Sequence, residues 1–247
     1  MTQPKQTIEE FDAWVKVRSL WTGAHDAAFY RDLVAGTGRP AVDLGIGDGR
    51  VAVESLPDIG IDISPESLRR CAKTLEGTRT KLVEADLADY SLDEQARLSY
   101  SSLNTFNHII DTEHRLRVMR NVLRNTQQGG YFVFDAANTS LESLLKYDRI
   151  PVEMGRGEDY VFYLNETILD RDRKLTTYHG VLEHLDGQGT VTSRTHLPPL
   201  HRAYVSAHQF AIELNQAGWQ IDNLYGEFDL SPYTEVSRKQ IWVAIKP

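Results

Sequence analysis

The stretch that most limits what this chain can fold into is AVDLGIGDGRVAVESLPDIGIDIS, residues 41–64. Ala41–Leu44 and Ile59–Ile63 are short strand-like runs, and Gly45, Gly47 and Gly49 follow the first of them. Two such runs joined by a glycine turn and a short helical stretch read as the strand–turn–helix–strand unit of a parallel sheet. Glycine admits positive φ and leaves the backbone bare to a ligand. Asp43 stands two residues before the first glycine, and Asp62 lies at the end of the second run. The third glycine arrives one residue earlier than in the G-x-G-x-x-G of dinucleotide-binding turns. A carboxylate this close to the turn suits a ligand with a positively charged amine better than a pyrophosphate.

The same alternation continues along the chain. Strands are predicted at Lys81–Ala85, Arg97–Ser102 and Tyr131–Ala136. Helices are predicted at Asp26–Ala35, after the Ser64-Pro65 cap, and at His114–Arg124, where Leu116, Met119, Val122 and Leu123 share a face. Thr7 with Glu10 forms a capping box ahead of Ile8, Phe11, Trp14 and Val15. Beyond residue 137 the rhythm changes. Thr139 with Glu142 signals a short helix, then Tyr160–Leu169, Lys174–Leu185 and Thr190–Tyr204 read as strands, with Asp186–Gly189 a hairpin loop. Ser206 with Gln209 caps a last helix that Gly218 ends, and Trp219–Phe228 and Ile241–Ile245 close as an antiparallel pair. The predicted fold is a doubly wound α/β, Rossmann-like structure: a seven-stranded, mainly parallel sheet with a C-terminal antiparallel hairpin and an inserted antiparallel β cap. The expected divisions are residues 1–36 as N-terminal helices forming a lid, 37–138 with 205–247 as the core, and 139–204 as the cap.

A formal charge of −8, with no basic run longer than Arg69-Arg70, argues against a nucleic-acid partner. Cys71, the single cysteine, excludes an intramolecular disulfide. The polar N-terminus lacks the apolar centre of a signal peptide. No apolar run approaches the ~20 residues that span a bilayer. A cytoplasmic protein without membrane contact is expected. No His, Asp or Glu pairing has metal-ligand spacing, so no metal is expected.

Acids recur at the ends of successive strands. Asp62 would accept hydrogen bonds from ribose hydroxyls, and Asp86 from an adenine amino group. With the Gly45/Gly47/Gly49 turn and the Gln128–Asp135 run QGGYFVFD, they make the chain resemble the class I S-adenosylmethionine-dependent methyltransferases over roughly residues 20–247. The resemblance implies S-adenosylmethionine as cofactor, its methionyl part held by Asp43 and the glycine turn, its ribose by Asp62, and its adenine by Asp86 with the Leu87 amide, with Ile63 also at the cofactor. It further implies that Ser101 and Ser102 line the cofactor and that Asn104 faces substrate. Arg50–Pro57 leaves about two helical turns before the second strand, roughly one turn (~5.4 Å) less than members of the family usually have. The late insert is similar in layout to that of glycine and amino-sugar N-methyltransferases, which implies one wall of a small-molecule pocket and a monomer or homodimer.

The implied reaction is methyl transfer to a small molecule. An alcohol acceptor needs a base; a neutral amine needs only an exposed lone pair. His108 is the candidate base, while Trp21, Tyr30, Asn104, His201 and Tyr225 are candidate substrate contacts. Nitrogen is favoured over oxygen, on a planar or heterocyclic secondary-metabolite precursor suited to an aromatic lid of Trp14, Trp21 and Tyr30. Three alternatives stay open: an O-methyltransferase using His108, a nicotinamide-dependent oxidoreductase, and a non-catalytic cofactor-binding protein. The early third glycine and Asp43 argue against the oxidoreductase.

Overall fold

A computed structural model describes residues 7–18, 20, 26–138, 150–172 and 174–247. The chain forms two compact units, Met1–Ala24 with Ser140–Tyr204, and His25–Thr139 with Val205–Pro247.

The larger unit is built on a seven-stranded sheet. Its strands are β1 (Ala41–Leu44), β2 (Ile59–Asp62), β3 (Lys81–Glu84), β4 (Ala96–Ser101), β5 (Thr126–Ala137), β11 (Gln220–Tyr225) and β12 (Lys239–Ile245), in the order β11-β12-β5-β4-β1-β2-β3. β1 through β5 pair in parallel, and β12 runs antiparallel to both β5 and β11. All four residues of β1 are buried, as expected for a strand covered on both faces.

The two faces of β5 separate the core into two clusters. Phe132 and Phe134 stack at 5.1 Å and meet Phe106, Phe210, Trp219 and Trp242. Val133 packs instead with Tyr30, Val34, Leu98 and Tyr100. That second cluster buries helix α2 (Ala27–Thr37). Helix α4 (Pro65–Thr74) starts on the expected cap, Ser64 Oγ accepting from Ser67 N at 2.9 Å. Helices α6 (Thr112–Asn125) and α7 (Ala207–Ala217) are tied by Arg115 and Glu213, buried and bidentate at 2.8 and 2.9 Å.

The helix after the glycine turn is shorter than expected. In place of two turns, α3 is the single turn Ala52–Ser55, closed by Leu56 in the left-handed region (φ +47°). A further short helix, α5 (Thr105–His108), lies after β4, where its four residues carry too little periodicity to be read from sequence.

The smaller unit holds α1 (Ile8–Arg18) and an antiparallel sheet of β6 (Val152–Arg156), β7 (Tyr160–Asp170), β8 (Leu175–Leu185), β9 (Val191–His196) and β10 (Leu200–Ala203). The Thr7–Glu10 capping box is present, with bonds of 2.8 and 3.2 Å. Trp14 and Val17 of α1 are buried with Phe162, Leu164 and Leu200. The predicted strand Thr190–Tyr204 is two strands, because Pro198 and Pro199 supply no N–H for a ladder. Strand β6 is not among the expected elements, since Met154 and Gly155 weaken its pattern, and its pairing with β7 shifts register there. The two helices expected to act together within residues 1–36 fall in different units, α2 through its buried Tyr30 and Val34 and α1 through Trp14. The helix start at Thr139 and Glu142 lies outside the described residues, as does Trp21.

Candidate functional site

β1 and β4 are neighbours whose connections leave in opposite senses, toward β2 and toward β5. Such a switch point opens a crevice at the carboxyl ends of the strands. Two turns border it in the larger unit, one after β1 and one after β4.

The turn after β1 is held by its backbone. Gly45, Gly47 and Gly49 have φ of +77°, +59° and +85°, values that a side chain opposes. A Cβ on Gly45 would also stand 2.7 Å from Thr105 Cγ2, so the two turns touch. Gly45 N and Ile46 N donate to Ile61 O at 2.8 and 3.0 Å. Gly47 N donates to Asp62 Oδ2 and Ser64 N to Asp62 Oδ1, both at 2.9 Å. Asp62 thus pins the turn through both of its carboxylate oxygens. Ile63, next to it, is exposed.

Asp43 is the anomaly of this wall. It lies beside Tyr100 in the β1–β4 register, is buried, and neither oxygen has a hydrogen-bond partner among the described residues. Burial pushes its pKa up to about 8; the nearby Tyr100 hydroxyl, which lies 2.7 Å from Ser55 Oγ, and Arg50 pull it down, while Asp62 and Asp26 push it up. A buried polar group without a partner is costly, and a cationic amine would relieve the cost. The residues therefore fit the amino group of a methionyl ligand. Arg50, the residue after the last glycine, makes a bidentate bond to buried Asp26 at 2.6 and 2.7 Å. Burial raises the Asp26 pKa, but Arg50 outweighs it and holds the carboxyl below its ordinary value.

At the end of β3, Asp86 Oδ1 accepts from Ala88 N at 2.8 Å and contacts His114 Nε2 at 3.1 Å. Asn121 Nδ2 donates to Leu87 O at 3.0 Å, which holds the adjoining peptide in place.

The turn after β4 has a different character. Leu103 and Asn104 are consecutive non-glycine residues with φ of +56° and +61°, a strained pair that survives only where its surroundings over-determine it. Asp135, fully buried at the end of β5, supplies the restraint. Its Oδ1 accepts from Leu103 N at 2.7 Å and Tyr30 Oη at 2.8 Å; its Oδ2 accepts from Lys239 Nζ at 2.8 Å and Asn104 N at 3.3 Å. Lys239 Nζ also donates to Asn104 Oδ1 at 2.9 Å. A lysine only donates, so the assignment of the Asn104 amide oxygen is settled by chemistry and its NH2 is directed away from Lys239.

Several expected contacts have other roles. Tyr30 is expected at substrate from the sequence, but its ring is fully buried, stacked on Tyr100 at 5.2 Å, and its hydroxyl serves Asp135 and Ser101 O. Burial and then the Asp135 charge push its pKa well above the usual phenol value. Ser101 is equally buried, and its Oγ donates to Leu44 O at 2.7 Å, joining β4 to β1 rather than lining a ligand. Ser102 O accepts from Thr105 Oγ1 at 2.8 Å. Tyr225, on the outer strand β11, is half-buried against the Tyr30 cluster. His108 ends α5, half-buried. His201 belongs to the smaller unit, where Thr177 Oγ1 lies 2.9 Å from its Nδ1 and burial lowers its pKa.

Asp26, Arg50, His114, Asp135 and Lys239 are site residues that sequence reasoning does not single out. Asp135 carries a usable signal: an acid inside an otherwise apolar strand needs a buried partner. Arg50 carries none, because its partner stands 24 residues away with no pattern to join them.

Residues 41–130 match the family model described as a methyltransferase domain. No curated protein matches the chain in sequence. Among solved structures it resembles the CcbJ methyltransferase from Streptomyces caelestis, with a TM-score of 0.82 at 18% identity over 96% of this chain and 97% of the other. An S-adenosylmethionine-dependent methyltransferase from Clostridium acetobutylicum aligns with a TM-score of 0.77 at 15% identity over 96% and 98%. The sugar N-methyltransferase KedS8 from a Streptoalloteichus species aligns with a TM-score of 0.72 at 18% identity over 100% and 96%. At these identities the likeness is one of fold.

Proposed function

We propose that the chain is a class I S-adenosylmethionine-dependent methyltransferase and that it transfers the methyl group to a nitrogen of a small molecule. When bound, the cofactor supplies an electrophilic methyl carried on a sulfonium, so the protein's part is to hold, align and desolvate. Asp43 would take the methionyl amine, the glycine turn and Asp62 the remainder of that half and the ribose, and Asp86 with the Leu87 amide the base. Arg50 pairs with Asp26, while buried Asp43 has no hydrogen-bond partner among the described residues, which favours a cationic ligand there.

One observation carries the choice of nitrogen. Asp135, the carboxylate that backs the turn after β4, accepts four hydrogen bonds and is buried, so it has no capacity to take a proton from an acceptor. A neutral amine needs no such base. The sugar N-methyltransferase among the structural neighbours supports the same choice. Planarity of the acceptor rests on Trp21 alone, which lies outside the described residues, because the Tyr30 ring is core and Trp14 is buried within its own unit.

The test is a panel of paired amino and hydroxy compounds, amino sugars included, incubated with methyl-labelled cofactor and read by mass spectrometry. Label on nitrogen is expected. Label confined to oxygen, with a pH–rate limb that disappears in His108→Ala, would replace this reading with the His108-assisted one; His108 keeps that rival open by its place at the end of α5, beside the same turn.

A further inference from the structure

We infer that His114 is a positioning residue for the nucleobase of the cofactor, acting through Asp86. The inference rests on the reading of Asp86 as the adenine-facing acid and adds what makes that acid selective. His114 lies in the first turn of α6, anchored by its own backbone N–H, which donates to Asp111 Oδ1 at 2.7 Å. Its two ring nitrogens have different neighbours. Nδ1 is 3.2 Å from Arg117 Nη2, and Nε2 is 3.1 Å from Asp86 Oδ1. A guanidinium has only donors, so Nδ1 must present its lone pair, and the ring proton then sits on Nε2, which donates to Asp86.

Asp86 Oδ1 therefore receives two donors, Ala88 N and His114 Nε2. One donor alone leaves a carboxylate free to turn about its Cβ–Cγ bond; two from different elements, the loop after β3 and helix α6, fix its plane. Among the described residues Oδ2 has no partner, and neither has the Leu87 amide. The loop after β3 thus presents an acceptor beside a donor. Such a pair fits the adenine edge, where a 6-amino group adjoins a ring lone pair, and is mismatched to hypoxanthine, where an oxo group adjoins a ring N–H. Discrimination between the two depends on Oδ2 staying aimed at the 6-position, and that aim is what His114 holds. With Asp86 and His114 both about one-third exposed, the bond to Ala88 alone does not prevent the carboxylate from turning toward solvent.

Calorimetric titration of S-adenosylhomocysteine and of S-inosylhomocysteine into wild type, His114→Asn and His114→Gln tests this without any turnover. Gln places its amide N–H where Nε2 stands; Asn is too short to reach it. Wild type is expected to favour the adenine ligand, His114→Asn to bind it ~5- to 10-fold more weakly with most of the preference lost, and His114→Gln to restore both, the scale of one charge-assisted hydrogen bond. An unchanged affinity ratio in His114→Asn overturns the inference, as does a wild type without preference. It also falls if Gln behaves like Asn, since the effect would then not be that of the Nε2 donor. A wild type that binds neither ligand would instead refute the cofactor assignment itself, so the two failures are told apart. Circular dichroism of each variant confirms that the comparison is between folded proteins.

Discussion

The two turns that border the crevice solve opposite problems. After β1 the backbone is made pliant by glycine and its principal acid, Asp43, is buried with no hydrogen-bond partner among the described residues. After β4 the backbone is forced into left-handed conformations on ordinary residues, and its acid, Asp135, accepts four hydrogen bonds. On the proposed reading, the first arrangement is completed by a donor from the ligand. The second is complete in itself and serves as a fixed rim. A polar group that stores unsatisfied capacity marks where a ligand belongs, whereas a saturated one marks what holds the site in shape.

That contrast can be broken at either end. The largest effect is expected from Asp135→Ala, which leaves the Lys239 ammonium, the Tyr30 hydroxyl and two strained amides without their acceptor. Loss of one member of a buried charged pair costs ~3–5 kcal/mol, which denaturant unfolding would read. A loss below about 1 kcal/mol would mean that water replaces the carboxylate and that the turn does not depend on it.

Asp43 should behave in the reverse way. Its folded pKa is raised to about 8, above the ordinary carboxylate value it regains on unfolding. Between those two values the folded protein binds the proton more tightly, so stability is greatest at the acid end and falls as pH rises toward 8. Asp43→Asn, which cannot ionise, should therefore raise the melting temperature relative to wild type more at pH 8 than at pH 5.5, while reducing S-adenosylhomocysteine affinity by ~10-fold or more. An equal shift at both pH values would show that Asp43 has a partner in solution.

Asp62→Ala is expected to cost less, because it releases two neutral amides, of which that of Gly47 is half-exposed and only that of Ser64 is buried, and strands no charge. S-adenosylhomocysteine binding should weaken ~10-fold, about 1.4 kcal/mol, in calorimetry. Undiminished binding would leave the second-strand acid with a structural role alone. The smallest effect should come from Tyr30→Phe. It removes one of the four donors to Asp135 and costs about 1 kcal/mol of stability, with S-adenosylhomocysteine affinity unchanged within about two-fold. A large loss of affinity would return Tyr30 to the ligand site from which its burial removes it.

Much of this architecture is legible in the amino-acid sequence. Hydrophobic period, glycine placement and capping pairs are local signals, and they locate β1 to β5, the Ser64 and Ser206 caps and the closing antiparallel pair. Short elements such as α5 and β6 escape because a few residues do not establish a period. At the site, Asp43, Asp62, Asp86 and the three glycines are visible as acids and a turn at strand ends, a rule that needs only the order of elements. Their states are not. That Asp43 is buried with no hydrogen-bond partner among the described residues depends on its place beside β4, and that Asp86 is doubly held depends on His114, which stands 28 residues along the chain.

The amino-acid sequence by itself determined the alternation of strand and helix, the glycine turn and the position of each candidate acid, because each follows from residues close together in the chain. Tertiary structure alone decided which of those acids are satisfied. Asp135 meets donors from α2, the turn after β4, and β12, and Arg50 meets an acid upstream of its own turn. Hydrogen bonds and charge pairs act over a few ångströms of space whatever the distance along the chain. Only the folded arrangement tells a carboxylate that supports the site from one that awaits its ligand.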